Sequence, residues 1–197
     1  MAEQIILIGG GGHCESCIDV IERQKKYQIA GIVDIKENIG KKVLGYDIIA
    51  HDDQIPELID QYHNFFITLG QIKTAEKRKK LYERLKKYKV HLPILISPYA
   101  YVSDHCIIGP GTIIHHHALL NSGVSIGCNC IVNSKALLEH GVNVGSHCHI
   151  STGAIINGNV TIENDCFIGS GAVIKQDLII GKQSMIKLGS KLTKSLE

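Results

Sequence analysis

The chain has 197 residues, of which 44% are hydrophobic and 20% charged, with a formal net charge of +2. This length is expected to hold one large or two small domains. The balanced charge gives no indication of a nucleic-acid partner, and no apolar run approaches the roughly 18 residues that a membrane span needs. The amino terminus enters a predicted strand without the basic start of a signal peptide. We therefore expect no membrane insertion and a cytoplasmic location.

The first half of the chain alternates short apolar runs with helical patterns. Strands are predicted over residues 4–8, 28–34, 46–50 and 65–69. Helices are predicted after the first, third and fourth of these strands, the last over 73–88 with Leu81 and Leu85 facing inward. Such alternation predicts a small Rossmann-like α/β domain with a parallel sheet. We assign residues 1–95 to this domain and residues 96–197 to a second.

A glycine-rich turn follows the first strand, with four glycines from Gly9 to Gly12 and His13 directly after them. A strand, glycines and a helix in this order present backbone N–H groups to a phosphate. The dinucleotide fingerprint is incomplete, because its third glycine position holds Cys14. A smaller nucleotide, such as the UDP of a nucleotide sugar, needs only the turn and Asp34 at the end of the next strand. A tight turn without a ligand is the alternative.

The second half carries a strict period of six. From Val102 to Leu192, every sixth residue is Val, Ile or Leu. This period fits neither an α-helix nor a simple alternating strand, and it is typical of a parallel β-helix. Each hexapeptide supplies one short strand and one corner, and three of them make a triangular coil. The fold class predicted for the second domain is therefore a β-helix of about five coils.

Most of the seven cysteines are predicted to be structural rather than part of a disulfide framework. Four of them occupy the small interior position of the hexapeptide, two residues before the aliphatic one: Cys106, Cys130, Cys148 and Cys166. Buried thiols act there as small hydrophobic side chains. Cys14 and Cys17 form a single C-x-x-C, which lacks the second pair of ligands that a zinc site would need.

Three consecutive histidines, residues 115–117, invite a metal interpretation. Adjacent residues of a strand point to opposite faces, so these three cannot bind one ion together. A zinc site shared between two chains, using His117 with His140 or His147, is an alternative. Our prediction is that no metal is required.

Two motifs give the chain a resemblance to a known family. The first is the glycine turn ending in His13, and the second is the Glu139-His140 step, followed nine residues later by His149. Together they resemble the bacterial nucleotide-aminosugar N-acetyltransferases of the hexapeptide-repeat sugar O-/N-acyltransferase family, of the bacillosamine and sialic-acid pathway type. The resemblance implies a left-handed β-helix, a homotrimer, acetyl-CoA as co-substrate and a UDP-amino sugar as acceptor.

The resemblance also implies roles for single residues in the β-helix. His140 takes the place of the catalytic base, and His149 that of a histidine contacting acetyl-CoA. Gly158 matches a glycine at the thioester end, and Ser170 and Gly189 match positions along the pantetheine path. In the first domain, the implied nucleotide-sugar contacts are Gly10, Gly11, Gly12, His13, Asp34 and Gly70.

One position departs from the family pattern. An acidic residue commonly follows the catalytic histidine in the family, and here that residue is Gly141. Glu139 precedes His140 and is the second candidate catalytic residue, although strand alternation predicts that it faces the opposite side.

The predicted function is acetyl-CoA-dependent N-acetylation of a UDP-linked amino-deoxy sugar for bacterial surface glycan synthesis, by direct transfer. The expected acceptor is a UDP-4-amino-4,6-dideoxy-N-acetylhexosamine. A histidine suits this chemistry, because it titrates near the working pH and can accept the proton that the amine loses. The alternatives are O-acetylation of a sugar such as sialic acid, and a non-catalytic trimeric scaffold that binds a nucleotide sugar.

Overall fold

The computed structural model describes residues 2–71 and 74–196. The chain divides into two compact units, one made of residues up to 70 together with 80–93, and the other of residues 71–79 together with 94 onwards. The segment 71–79 thus groups with the second unit. Among the described residues, no helix is both long enough and apolar enough to cross a membrane.

The first unit is built on a five-stranded sheet of order β3-β4-β2-β1-β5, in which only the β3–β4 pair is antiparallel. Its strands are β1 (Glu3–Ile8), β2 (Tyr27–Asp34), β3 (Lys42–Val43), β4 (Tyr46–His51) and β5 (Asn64–Ile67). The predicted α/β domain with a parallel sheet is confirmed. The two-residue strand β3 is too short to give a pattern, and the sequence analysis missed it.

The described part of the chain contains three α-helices: α1 (Gly12–Gln24), α2 (Ile55–Ile59) and α3 (Glu76–Lys87), and the first turn of α3 groups with the second unit. The predicted start of α3 at Lys73 lies outside the described residues, and the helix begins at Glu76. Its buried residues include Arg78, Tyr82 and Leu85, whereas Leu81 is half-buried. The prediction for Leu85 is confirmed. The burial of Arg78 and Tyr82 was not predicted from the sequence. They lie four residues apart on one face of the helix, but a hydrophobicity pattern does not count a charged residue as buried.

The second unit is a left-handed parallel β-helix of two-residue strands, β6 to β22, arranged in three sheets. The first face consists of Tyr101–Val102, Leu119–Leu120, Leu137–Leu138, Ile155–Ile156, Val173–Ile174 and Lys191–Leu192. The second face consists of Ile107–Ile108, Ser125–Ile126, Asn143–Val144, Thr161–Ile162 and Ile179–Ile180. The third face consists of Leu95–Ile96, Ile113–Ile114, Ile131–Val132, His149–Ile150, Phe167–Ile168 and Met185–Ile186.

The strands pair in parallel with strands eighteen residues away, for example Leu119 with Leu137, so one coil is three hexapeptides. The aliphatic residue of each repeat points inward, and from Ile114 to Ile186 these side chains are at most 5% exposed. Cys130, one of the small interior residues, is 1% exposed. The predicted β-helix and its interior are therefore confirmed.

From Gly111 to Gly189, each corner of the β-helix contains a residue with a left-handed backbone, three positions after the inward aliphatic residue. At the corner between the first and second faces these residues are Gly123, Gly141, Asn159 and Asp177. Gly141 has φ of +67°, a conformation that costs glycine nothing and is tolerated by Asn and Asp. The glycine that departs from the family pattern is therefore a corner residue of the coil.

Candidate active site

His140 lies at a corner of the β-helix where the next coil provides no side chain. Because coils repeat every eighteen residues, Ser122, His140, Gly158 and Gln176 form one column. A Cβ added at Gly158 would lie 2.6 Å from Cε1 and 2.8 Å from Nε2 of His140. The imidazole therefore lies over the backbone of Gly158, in space that the Cβ of another residue would occupy.

The missing side chain at Gly158 opens a cavity of about 300 Å³ between His140 and the coil that carries Gln176. The lining residues are Glu139, His140, Asn157, Gly158, Asn159, Gln176 and Asp177. This volume lies at the lower end of the range of small-ligand pockets. The lining is polar, with two carboxylates and one imidazole, so it suits a polar acceptor group.

Glu139 lines the same cavity as His140. The expectation that it faces the opposite side is wrong, because strand alternation ends at Leu137–Leu138 and the chain has already entered the corner. Glu139 is half-buried, and its Oε2 accepts a hydrogen bond of 2.9 Å from Nδ2 of Asn121. Its carboxylate is thus held in place by Asn121.

The stacking of Gly141 on Asn159 in the next coil explains why no acidic residue follows His140. A Cβ at Gly141 would lie 2.5 Å from Oδ1 of Asn159, so this space is already occupied. Nδ2 of Asn159 in turn donates a hydrogen bond of 3.1 Å to Oδ1 of Asp177. The acidic residues that line the cavity are Glu139 and Asp177.

His149 is on the third face and does not line this cavity. It is 7% exposed, its Nδ1 lies 3.2 Å from the carbonyl oxygen of Gln71, and its ring meets Phe167 edge-on at 5.1 Å. Burial, followed by the nearby positive charge of Arg78, lowers the pKa of His149 to about 4. Its imidazole is therefore neutral at neutral pH.

Ser170 and Gly189 lie in successive coils at the corner between the third and first faces. The backbone N–H of Gly189 donates to the carbonyl of Ser170 at 2.8 Å, and the Ser170 hydroxyl lies 2.9 Å from that of Ser151. Gly189 has φ of +66°, and a Cβ there would meet open space. Within one chain, this corner is separate from the corner at Gly158.

The glycine turn and the end of the second strand meet in the first unit. A Cβ at Gly10 would lie 2.6 Å from Oδ2 of Asp34, so the glycine lets the carboxylate approach the turn. That carboxylate also accepts hydrogen bonds from the Ile35 N–H at 2.8 Å and from Nδ2 of Asn38 at 3.0 Å.

The start of α1 lies open beside this carboxylate. A Cβ at Gly11 or Gly12 would have no neighbour within 4 Å, and among the residues that the structure describes no side chain caps the helix. A Cβ at Gly70 would lie 3.5 Å from Cβ of His13, so the two residues are neighbours. All the residues that were expected to contact a nucleotide sugar thus lie where β1, β2 and β5 end.

The cysteines of α1 and the histidines of the run at 115–117 differ in their burial. Cys14 and Cys17 are fully buried, and burial raises the pKa of the Cys14 thiol to about 11. In the histidine run, His115 is 1% exposed, Nδ1 of His116 lies 2.5 Å from Oγ of Ser97, and His117 is an exposed corner residue.

Sequence reasoning did not identify four of the cavity residues: Asn157, Asn159, Gln176 and Asp177. The eighteen-residue length of one coil could have identified three of them. Asn157 and Asn159 lie eighteen residues after positions 139 and 141, and Asp177 lies eighteen residues after Asn159.

Comparison with known proteins agrees with this architecture. Residues 4–85 match the family described as the PglD N-terminal domain, and residues 97–178 match the GlmU-like C-terminal hexapeptide family. One similar protein is PerB from Caulobacter crescentus, whose crystal structure contains CoA and GDP-perosamine. The two sequences are 26% identical, and the structural match has a TM-score of 0.91 and covers 100% of this chain and 91% of PerB. The chain thus combines a domain of the PglD N-terminal family with a domain of the GlmU-like hexapeptide family.

Two further structures share the fold of this sugar N-acetyltransferase. WeeI from Acinetobacter baumannii is 25% identical with a TM-score of 0.84, and the match covers 99% of this chain and 93% of WeeI. The acetyltransferase domain of PglB from Neisseria gonorrhoeae, in complex with acetyl coenzyme A, is 24% identical with a TM-score of 0.89, covering 100% and 93%. A comparison with curated protein sequences gives no match. The predicted family and enzyme class are confirmed.

Proposed function

We propose that this enzyme transfers the acetyl group of acetyl-CoA to the amine of a nucleotide-linked amino sugar, with His140 as general base. The observation that carries the proposal is the cavity over Gly158, where the imidazole of His140 is exposed beside two carboxylates. The donor and the acceptor class are supported by PerB, whose structure contains CoA and GDP-perosamine. Among the described residues, no side chain is hydrogen-bonded to the His140 ring, so its nitrogens are available to a substrate.

The proposed reaction is a direct transfer. The sugar nitrogen attacks the thioester carbonyl, the C–N bond forms, and His140 accepts a proton from that nitrogen. The tetrahedral intermediate then collapses with cleavage of the C–S bond, and the proton returns to the sulfur of CoA. A backbone N–H is the simplest donor to the oxyanion. The buried cysteines of the repeat are poor nucleophiles, so we propose no acyl-enzyme.

The nucleotide is proposed to bind at the glycine turn of the first unit. The open N–H groups at Gly11 and Gly12 suit a diphosphate at the start of α1, and Asp34 suits a ribose or base. We keep UDP as the expected nucleotide, with a 4-amino-4,6-dideoxy sugar attached to it. GDP is the second candidate, since PerB is in complex with GDP-perosamine.

Acetyl-CoA is proposed to bind along the β-helix, with Gly158 at its thioester end and with His149, Ser170 and Gly189 further along. In one chain, Gly158 and the pair of Ser170 and Gly189 occupy different corners. We therefore propose a homotrimer, in which a groove between two neighbouring β-helices combines residues from different chains.

The test is release of free CoA thiol from acetyl-CoA with a panel of UDP- and GDP-linked amino sugars, their hydroxyl counterparts and free sialic acids. We expect turnover with an amino sugar. His140→Ala should lower kcat by about 1,000-fold, as expected for loss of a general base. His105→Ala, at an exposed histidine of the same β-helix, is the matched control and should keep full activity.

Two outcomes would contradict the proposal. Activity with hydroxyl acceptors but with no amine would favour O-acetylation. Binding of nucleotide sugars without turnover of any acceptor would favour the scaffold.

A further inference from the structure

The cavity at Gly158 has an acidic residue on the side opposite His140. His140 and Glu139 belong to the coil before Gly158, whereas Gln176 and Asp177 belong to the coil after it. A group bound in the gap above Gly158 therefore has the imidazole on one side and Asp177 on the other.

Asp177 is held in position but keeps capacity for another hydrogen bond. Asn159 donates to its Oδ1 at 3.1 Å, and within the part of the chain that the structure describes its Oδ2 accepts none. Glu139 differs, because it is half-buried, lies on the histidine's side and already accepts from Asn121 at 2.9 Å. Of the two carboxylates, Asp177 is the one placed to meet a ligand from across the cavity.

We propose that Asp177 is a specificity-determining residue that selects a nitrogen acceptor over an oxygen acceptor, an inference that rests on the proposed N-acetyl transfer. A primary amine has two N–H bonds. One proton passes to His140 as the C–N bond forms and the C–S bond breaks, and the other stays on nitrogen in the amide product. Asp177 accepts the hydrogen bond from that second N–H throughout the reaction.

A hydroxyl acceptor cannot make both contacts. Its single proton is needed by His140, so the carboxylate of Asp177 would face an oxygen lone pair, and two acceptors repel each other. A carboxylate at this position therefore both orients the amine and disfavours a sugar that carries oxygen at the same carbon. This supplies discrimination inside the cavity, independent of the nucleotide.

The test compares Asp177→Asn and Asp177→Gly, both of which suit a left-handed corner because Asn159 and Gly141 occupy the same place in neighbouring coils. Affinity is measured by calorimetry, without acetyl-CoA, for a nucleotide amino sugar and for its hydroxyl counterpart. We expect each variant to bind the amino sugar about tenfold more weakly, as for loss of a charged hydrogen bond. Binding of the hydroxyl counterpart should stay unchanged or improve, and the KM for acetyl-CoA should not change.

Asp104→Asn is the matched control, since this exposed carboxylate belongs to the column of His140 two coils earlier. It should leave both affinities as in the wild type. Equal weakening for amine and hydroxyl, or no weakening in either variant, would overturn the proposal for Asp177. Failure of the wild-type enzyme to acetylate any amino sugar would instead overturn the proposed function.

Discussion

The imidazole of His149 is kept neutral by its surroundings. It is buried against Phe167 and lies near the positive charge of Arg78, and its pKa is lowered to about 4. In the unfolded chain the pKa is near the ordinary 6.5. Between these two values the unfolded state binds a proton that the folded state does not, so the free energy of unfolding falls as the pH falls.

We predict that this single group lowers the free energy of unfolding by about 3 kcal/mol as the pH falls from 7 to 4. The measurement is urea unfolding at a series of pH values for the wild type and for His149→Gln. The variant should lose less stability over this range, whereas His105→Gln, at an exposed histidine, should follow the wild type. An unchanged pH dependence in His149→Gln would contradict the assignment.

Position 158 holds glycine because the His140 ring lies close to it, and not because its backbone conformation requires glycine. Its φ is not in the left-handed region, so alanine is compatible with the chain but would place a methyl group against the His140 ring. We predict that Gly158→Ala lowers kcat about 100-fold by displacing the base from its position. The exposed imidazole can move aside, so the melting temperature should change little.

Ser122→Ala is the control for this prediction, because Ser122 is exposed and occupies the same column in the preceding coil. Steady-state kinetics and thermal melting of the three proteins provide the comparison. A Gly158→Ala enzyme with the kcat of the wild type would show that the position of the ring over Gly158 is not needed.

At the scale of elements, the first turn of α3 is tied to the corners of the β-helix by buried charge. Arg78 is 2% exposed, and its guanidinium donates to the backbone carbonyls of Asn129 and His147 and to the side chain of Gln71. Lys79 pairs with Asp165 at 2.8 Å. Asn129, His147 and Asp165 are the left-handed residues at the same corner of three successive coils. The first turn of α3 therefore contacts one corner of the β-helix over three coils.

We predict that Arg78→Met lowers the free energy of unfolding by about 3 kcal/mol, because buried carbonyl groups lose a charged donor. Arg78→Lys should recover only part of this loss, since an ammonium cannot reproduce the planar fork of the guanidinium. Lys77→Met, at the exposed neighbouring position, is the control and should be neutral. Chemical denaturation measures all three, and equal stability of Arg78→Met and Lys77→Met would contradict the role of Arg78.

At the scale of the whole molecule, exposed apolar side chains on the β-helix favour an assembly. Ile107 is 71% exposed and Ile179 is 52% exposed, and both point outward from the second face. We predict that light scattering gives the mass of three chains, and that Ile107→Asp combined with Ile179→Asp gives one. Leu44→Asp, at an exposed leucine of the first unit, is the control and should leave the trimer intact. A monomeric wild type would contradict the trimer and the shared groove.

The sequence by itself determined both folds and the inward face of every coil. The aliphatic residue and the corner recur within each hexapeptide, so they can be read without knowing which coils are neighbours. The glycine turn and Asp34 were also identified as candidates from a local motif, whereas His140 was identified through the family resemblance.

Tertiary structure decided what surrounds those residues. Stacking brings Gly158, Asn159 and Asp177 next to His140, and no local pattern reports a contact between residues eighteen or more positions apart. The direction of Glu139 depends on the corner backbone rather than on strand alternation. The burial of His149 depends likewise on Gln71, which is far from it in the chain. Periodicity specifies which side chains face inward, and packing between coils determines which outward-facing groups meet in a site.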